Sequence, residues 1–147
     1  MNWSTRPWFY SPSDQRRVNK RRKKYNRDVA LFVDVGGTLT IENIHTVYAQ
    51  HLGYAAEEES LRKRMKAGEL TPGAFDKEIE ELLISKNFSR AKANEIAEKV
   101  KLRDNAEEML RSEDFDIYII SLAPSFYIDW LLAHKISKKA FIYHTAS

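Results

Sequence analysis

The stretch Ala30–Thr40, ALFVDVGGTLT, decides how the rest of this sequence is read. A short apolar run, 29–33, stops at a carboxylate, Asp34, followed by two glycines and a threonine. A buried parallel strand delivers a reactive group to its carboxyl end in this way. Gly36 and Gly37 allow a sharp turn and a close approach of backbone N–H groups to an anion. Thr38 and Thr40 add hydroxyls that can bind phosphate oxygens or fix the turn. An apolar strand running into a Gly-Gly turn needs no chemistry in itself, so the case for a phosphate site rests on the wider pattern.

Downstream, IENIHTVYAQHLG places Ile44, Val47, Tyr48 and Leu52 at helical spacing with Gly53 as a stop. A charged helix follows over 55–67 and closes at Gly68. Thr71 before Pro72 supplies a cap and a first-turn proline for a helix whose apolar face is Phe75, Ile79, Leu82 and Leu83. Ser89 caps a further helix carrying Ile96, Ala97 and Val100. Asp104 is expected to cap a short helix holding Ala106, Met109 and Leu110. A second β-rich run, 115–120, ends at Ser121. A helix beginning near Ser125 points its N-terminal N–H groups back toward Ser121 and turns Phe126, Trp130 and Leu131 inward. A third strand is expected over 140–143.

The run Asp34, Gly37, Thr38, Leu39 and Thr40 resembles the first motif of the haloacid dehalogenase superfamily, a strand followed by DxDGTLT, with Gly36 in place of the second aspartate. DVGGT is also similar to the first phosphate loop of actin-like ATPases and of the hydantoinase and oxoprolinase group. Those loops join two hairpin strands, and the helical pattern after Thr40 favours the dehalogenase resemblance. MKAGELTPGAF, IAEKVKLRDNAEEML and FDIYIISLAPSF resemble, in turn, the cap turn, the return into the core and the second motif of the phosphoserine phosphatase branch.

The resemblance implies an α/β fold, a Rossmann-like parallel sheet with an inserted helical cap. The domains expected are a basic, disordered extension over 1–28, a partial core over 29–41 and 104–147, and a cap over 42–103. It also implies that Asp34 is the phosphoryl nucleophile, that Gly37, Thr38 and Ser121 bind phosphate, and that Asp34 and the Gly36 carbonyl hold magnesium. The substrate implied is a small phosphorylated metabolite, a phosphomonoester cleaved through an aspartyl phosphate. Gly36 cannot serve as the family's general acid and base. The family's later lysine and acidic motifs have no counterpart up to Ser147, Lys138 and Lys139 included. The expectation is therefore a truncated phosphohydrolase with an incomplete magnesium site and little activity alone. Its open sheet edge would favour self-association or a complementing chain. Where the phosphoserine-specific branch carries a cap arginine this chain has Glu78 and Ile79, so phosphoserine is not implied.

The 147 residues suit one soluble domain, 43% apolar and 31% charged, with no cysteine for disulfides, thiolate metal sites or a thiol nucleophile. No apolar run approaches a membrane span and no secretory signal opens the chain, so a cytoplasmic location is expected. His45, His51, His134 and His144 share no ligand spacing. Residues 1–28 hold nine Lys or Arg against two Asp, which leaves the remainder acidic within a total of +3. The alternative reading draws on this segment: a non-catalytic binding or scaffold protein on the same fold, using the basic residues within 16–27 and Trp3, Trp8, Phe9 and Tyr10 to hold RNA or acidic surfaces. A solubilising tail is the plainer account of such a run.

Overall fold

A computed structural model describes residues 30–114 and 116–136, together with the backbone of 141–144. The basic segment, and the extension and RNA readings placed on it, lie outside the described residues.

Three parallel strands form the sheet: β1 (Ala30–Val33), β2 (Asp116–Ser121) and β3 (Phe141–His144), in the order β1-β2-β3. Ala30 is paired with Asp116 and Val33 with Ile119, while Ser121 pairs with His144. The central strand is apolar on both faces, with Ile117, Tyr118 and Ile119 all buried, as a strand between two layers must be. Among the described residues β1 lies at the sheet's edge, where Phe32 stays 62% exposed and stacks on Tyr118 at 4.9 Å.

Between β1 and β2 the chain builds α1 (Ile44–Leu52), α2 (Ala55–Lys66), α3 (Pro72–Ser85), α4 (Arg90–Ala97) and the short α5 (Ala106–Arg111). Between β2 and β3 lies α6 (Ser125–His134). The punctuation is local. Asn43, Thr71 and Ser89 each accept a backbone N–H of the first turn through their side chains. Gly53 and Gly68 take positive φ, 79° and 78°, at the ends of α1 and α2. The expected cap at Asp104 is corrected: Asn105 holds the N-cap position in left-handed geometry, with no side-chain cap bond. The inner face of α6 is also wider than expected, Tyr127 and Ile128 being buried alongside Trp130 and Leu131 while Phe126 is half-buried.

Two apolar clusters hold these parts together. One joins Ala49, Tyr54, Leu61, Phe75, Ile79 and Leu83 within α1–α3 and the turn between α1 and α2. The other unites the sheet with α4 and α6, through Ile96 and Ala97 of α4 and Tyr127 and Leu131 of α6. Tyr48 ties the clusters, packing edge-on to Phe126 at 5.0 Å while its hydroxyl donates to the Ala93 carbonyl at 2.7 Å. The two ends of the insertion are stitched at its base. Ile41 N–H donates to the Lys101 carbonyl, Arg103 N–H to that of Leu39, and Thr40 bridges Leu102. No described helix is long and apolar enough to cross a membrane.

Burial pushes the Tyr127 hydroxyl up to about 12 and raises those of Tyr48 and Tyr54 as well, with Glu58 adding to the effect at Tyr54. Folded values above the ordinary 10.0 mean that the stability these groups contribute is complete below pH 10 and is lost as pH rises past it. Alkaline titration is expected to show these phenols ionising together with loss of the helical circular dichroism. Phenolate absorbance from all tyrosines near pH 10 with the fold intact would contradict this.

Candidate functional site

Parallel pairing sets Asp34, just beyond β1, and Ser121, the last residue of β2, at adjacent carboxyl ends of the sheet. Both line one cavity of about 220 Å³, roofed by the inserted helices. From the core come Asp34, Gly36, Ser121, Leu122 and Ala123; from α1, Ile44 and His45 behind their cap Asn43; from α2, Arg62 and Met65; from α3, Pro72, Phe75 and Asp76. A switch from sheet to helices at strand ends is where open α/β folds place their ligands.

The loop after Asp34 is wound around one acceptor. The Val35 carbonyl receives the N–H groups of Thr38, Leu39 and Thr40 at 3.1, 2.9 and 3.2 Å. Thr40, fully buried, accepts the Gly37 N–H at 3.0 Å and donates to the Glu42 carbonyl at 2.6 Å. Of the two roles open to the Thr40 hydroxyl, it performs the turn-fixing one. Gly37 sits at φ 76° and spends its amide on Thr40, and its carbonyl accepts Arg103 Nη2 at 3.1 Å. The cavity therefore brings Asp34, Gly36 and Ser121 together, whereas Gly37 and Thr38 stand outside its wall. Thr38 touches the site through a long contact, its hydroxyl donating to Asp34 Oδ2 at 3.4 Å. Asp34 itself is exposed to solvent.

Ser121 is buried, and its hydroxyl oxygen accepts the Ala123 N–H at 2.9 Å. That bond fixes the side chain while leaving the hydroxyl proton to donate elsewhere.

Arg62 is the residue the sequence did not advertise. It is the one Lys or Arg on this cavity's wall among the described residues. Its Nε donates at 3.0 Å to Glu58, whose side chain is 1% exposed and which also accepts the Thr46 hydroxyl at 3.5 Å. Holding the guanidinium by Nε leaves its terminal nitrogens, which have no protein partner among the described hydrogen bonds, as a fork for a planar or tetrahedral anion. In the sequence this pair is one of several i,i+4 acid–base pairs on a charged helix, so nothing marked it apart from the solvated Glu59–Lys63 pair beside it.

A magnesium ion would find one core carboxylate, Asp34, beside the Gly36 backbone. No group of three or more His, Cys, Asp or Glu able to hold a metal occurs among the described residues. These donors do not fit a magnesium cage of their own, since the ion demands octahedral oxygen ligation.

No protein-family model and no curated protein matches the sequence. Solved structures do. A HAD family hydrolase from Salmonella enterica subsp. enterica serovar Typhi superposes with a TM-score of 0.65 at 14% identity, over 97% of this chain and 53% of that one. A phosphoserine phosphatase, solved as an analogue of its phospho-aspartyl intermediate, superposes with a TM-score of 0.62 at 14% identity, over 80% of this chain and 56% of that one. The present chain thus spans about half the length of each. With its parallel sheet, its helices inserted after the first strand and its strand-end cavity, the chain has the fold of the haloacid dehalogenase-like hydrolases.

Proposed function

We propose that the cavity is a phosphoryl-transfer site in which Asp34 is the nucleophile. The observation that carries this reading is the convergence of Asp34 and Ser121, from adjacent parallel strand ends, on one cavity that also receives a held guanidinium. An Asp34 carboxylate oxygen attacks phosphorus, the bond from phosphorus to the leaving oxygen breaks, and an aspartyl phosphate results. Ser121 donates its hydroxyl proton to a phosphoryl oxygen, and Arg62 offsets the charge of the others. The substrate class is a small phosphomonoester, the helices over 42–103 act as the cap, and 29–41 with 104–147 supply the core.

Gly36 contributes no acid to the leaving oxygen and no base to the attacking water, so an ester's leaving oxygen takes its proton from solvent and both steps are slow, whereas acetyl phosphate, whose leaving acetate needs no proton, still forms the aspartyl phosphate. The chemistry belongs to a protein whose structural relatives are longer. Residues from a complementing chain would add to the site, and magnesium would enter with the substrate's phosphate.

Incubation with radiolabelled acetyl phosphate tests this directly. Label is expected on the peptide containing Asp34, stable to acid and released by hydroxylamine, and absent from Asp34→Asn. Label elsewhere on the chain, or equal labelling of Asp34→Asn, would sink the assignment.

A further inference from the structure

A second and larger cavity of about 390 Å³ adjoins the phosphoryl cavity, and the two share His45, Asp76 and Leu122 in their walls. The second cavity runs between α3, the turn at Phe88 and the start of α6, away from Asp34. Its walls are apolar: Ile79, Leu83 and Ile84 on α3, with Phe88, Phe126 and Leu122 facing them. Two of the largest exposed apolar side chains of the described surface belong here, Ile84 at 69% and Leu122 at 47%. Apolar surface left open inside a concavity, with nothing else of the described chain to cover it, is the mark of a ligand wall.

Glu80 and Asp76, one turn apart on α3, line the second cavity together with His45, and no Lys or Arg is among its described lining residues. A carboxylate bound there would meet the like charge of Glu80. Among the described residues Arg62 lines only the phosphoryl cavity.

We infer that the substrate is a phosphomonoester with a largely apolar, aryl or branched-alkyl leaving group free of carboxylates, which lies in the second cavity while its phosphate sits at Asp34 and Ser121. The assignment rests on the phosphoryl reading of that site. It sets this chain against amino-acid phosphates: the α3 wall that would have to hold an α-carboxylate is acidic and apolar. A bulky aromatic group suits the volume, and its burial against Ile79, Leu83 and Phe126 provides the binding energy.

Equilibrium binding to the full chain, by calorimetry or saturation-transfer spectroscopy, separates the two halves. The ligands are 2-naphthyl phosphate, O-phosphoserine, inorganic phosphate and 2-naphthol. Naphthyl phosphate is expected to bind at least about tenfold more tightly than phosphoserine. Ile84→Glu, at an exposed helix position, should weaken naphthyl phosphate and naphthol by about tenfold and leave inorganic phosphate unchanged. Glu80→Lys should instead strengthen phosphoserine several-fold, and it gives an independent readout should Ile84→Glu perturb the fold. Ser121→Ala should weaken both naphthyl phosphate and inorganic phosphate and spare naphthol.

Phosphoserine binding as tightly as naphthyl phosphate, with both α3 variants silent and Ser121→Ala still effective, would overturn the leaving-group assignment and leave the phosphoryl site standing. Phosphate binding indifferent to Ser121→Ala would overturn the phosphoryl reading, and the substrate assignment with it, even if naphthol still occupied the groove.

Discussion

Gly36→Asp is expected to speed breakdown of the Asp34 phosphoenzyme by about 10² to 10⁴, the contribution of a placed general acid and base. The substitution is open to test because the backbone admits it. A Cβ built at Gly36 meets only Ile44, at 3.8 Å from Cγ1 and 3.9 Å from N, which is ordinary contact, and Gly36 is not among the glycines at positive φ. The residue lines the cavity two positions beyond Asp34, so a carboxylate there enters the space in which the proposed phosphoryl transfer would take place. At Gly37, by contrast, the same change would meet backbone strain. That residue has open space around it but sits at φ 76°, a conformation that costs any L side chain roughly 1 kcal/mol. In single-turnover experiments after acetyl phosphate labelling, the parent chain should accumulate label and Gly36→Asp should drain it. A folded Gly36→Asp protein with an unchanged decay rate would show that position 36 does not reach the reacting atoms.

The largest expected loss of stability at the site follows from Arg62→Ala. Truncation leaves the Glu58 carboxylate, 1% exposed, with only the long Thr46 hydroxyl contact among the described hydrogen bonds. Breaking a fully buried ion pair costs about 3–5 kcal/mol. The Arg62 side chain is 29% exposed and water can partly replace it, so roughly 1–3 kcal/mol is the figure expected here. Arg62→Ala should lower the urea midpoint without changing the slope of the transition. Adding Glu58→Gln should restore part of the loss, because the orphaned charge is then gone. Inorganic phosphate should bind more weakly to Arg62→Lys, which keeps the charge and loses the fork. A double variant as unstable as Arg62→Ala alone would mean that the guanidinium acts through packing instead.

The sequence by itself determined those features whose causes lie within a few residues. The strand into Asp34, the glycine turn, the capping side chains of Asn43, Thr71 and Ser89 and the stops at Gly53 and Gly68 follow from backbone dihedral preferences and unsatisfied helix-end N–H groups, which neighbours satisfy. The β-rich run into Ser121 and the helix from Ser125 were legible for the same reason. Asp104 shows the limit of local reasoning: either it or Asn105 could begin α5, and the left-handed backbone that carries the chain out of the Arg103 contacts selected Asn105.

Tertiary structure decided everything that depends on what faces what. Arg62 and Lys63 are adjacent members of one charged helix, but only Arg62 turns inward, because α2 packs against α1 and buries Glu58 beneath it. The Thr40 hydroxyl became part of the loop because Glu42 and Gly37 close around it. The second cavity exists because α3 and the start of α6, some forty residues apart in sequence, leave a gap between two apolar clusters. Capping and periodicity are short-range and can be read along the chain; the walls of a cavity are long-range and are fixed only when the sheet brings distant segments into register.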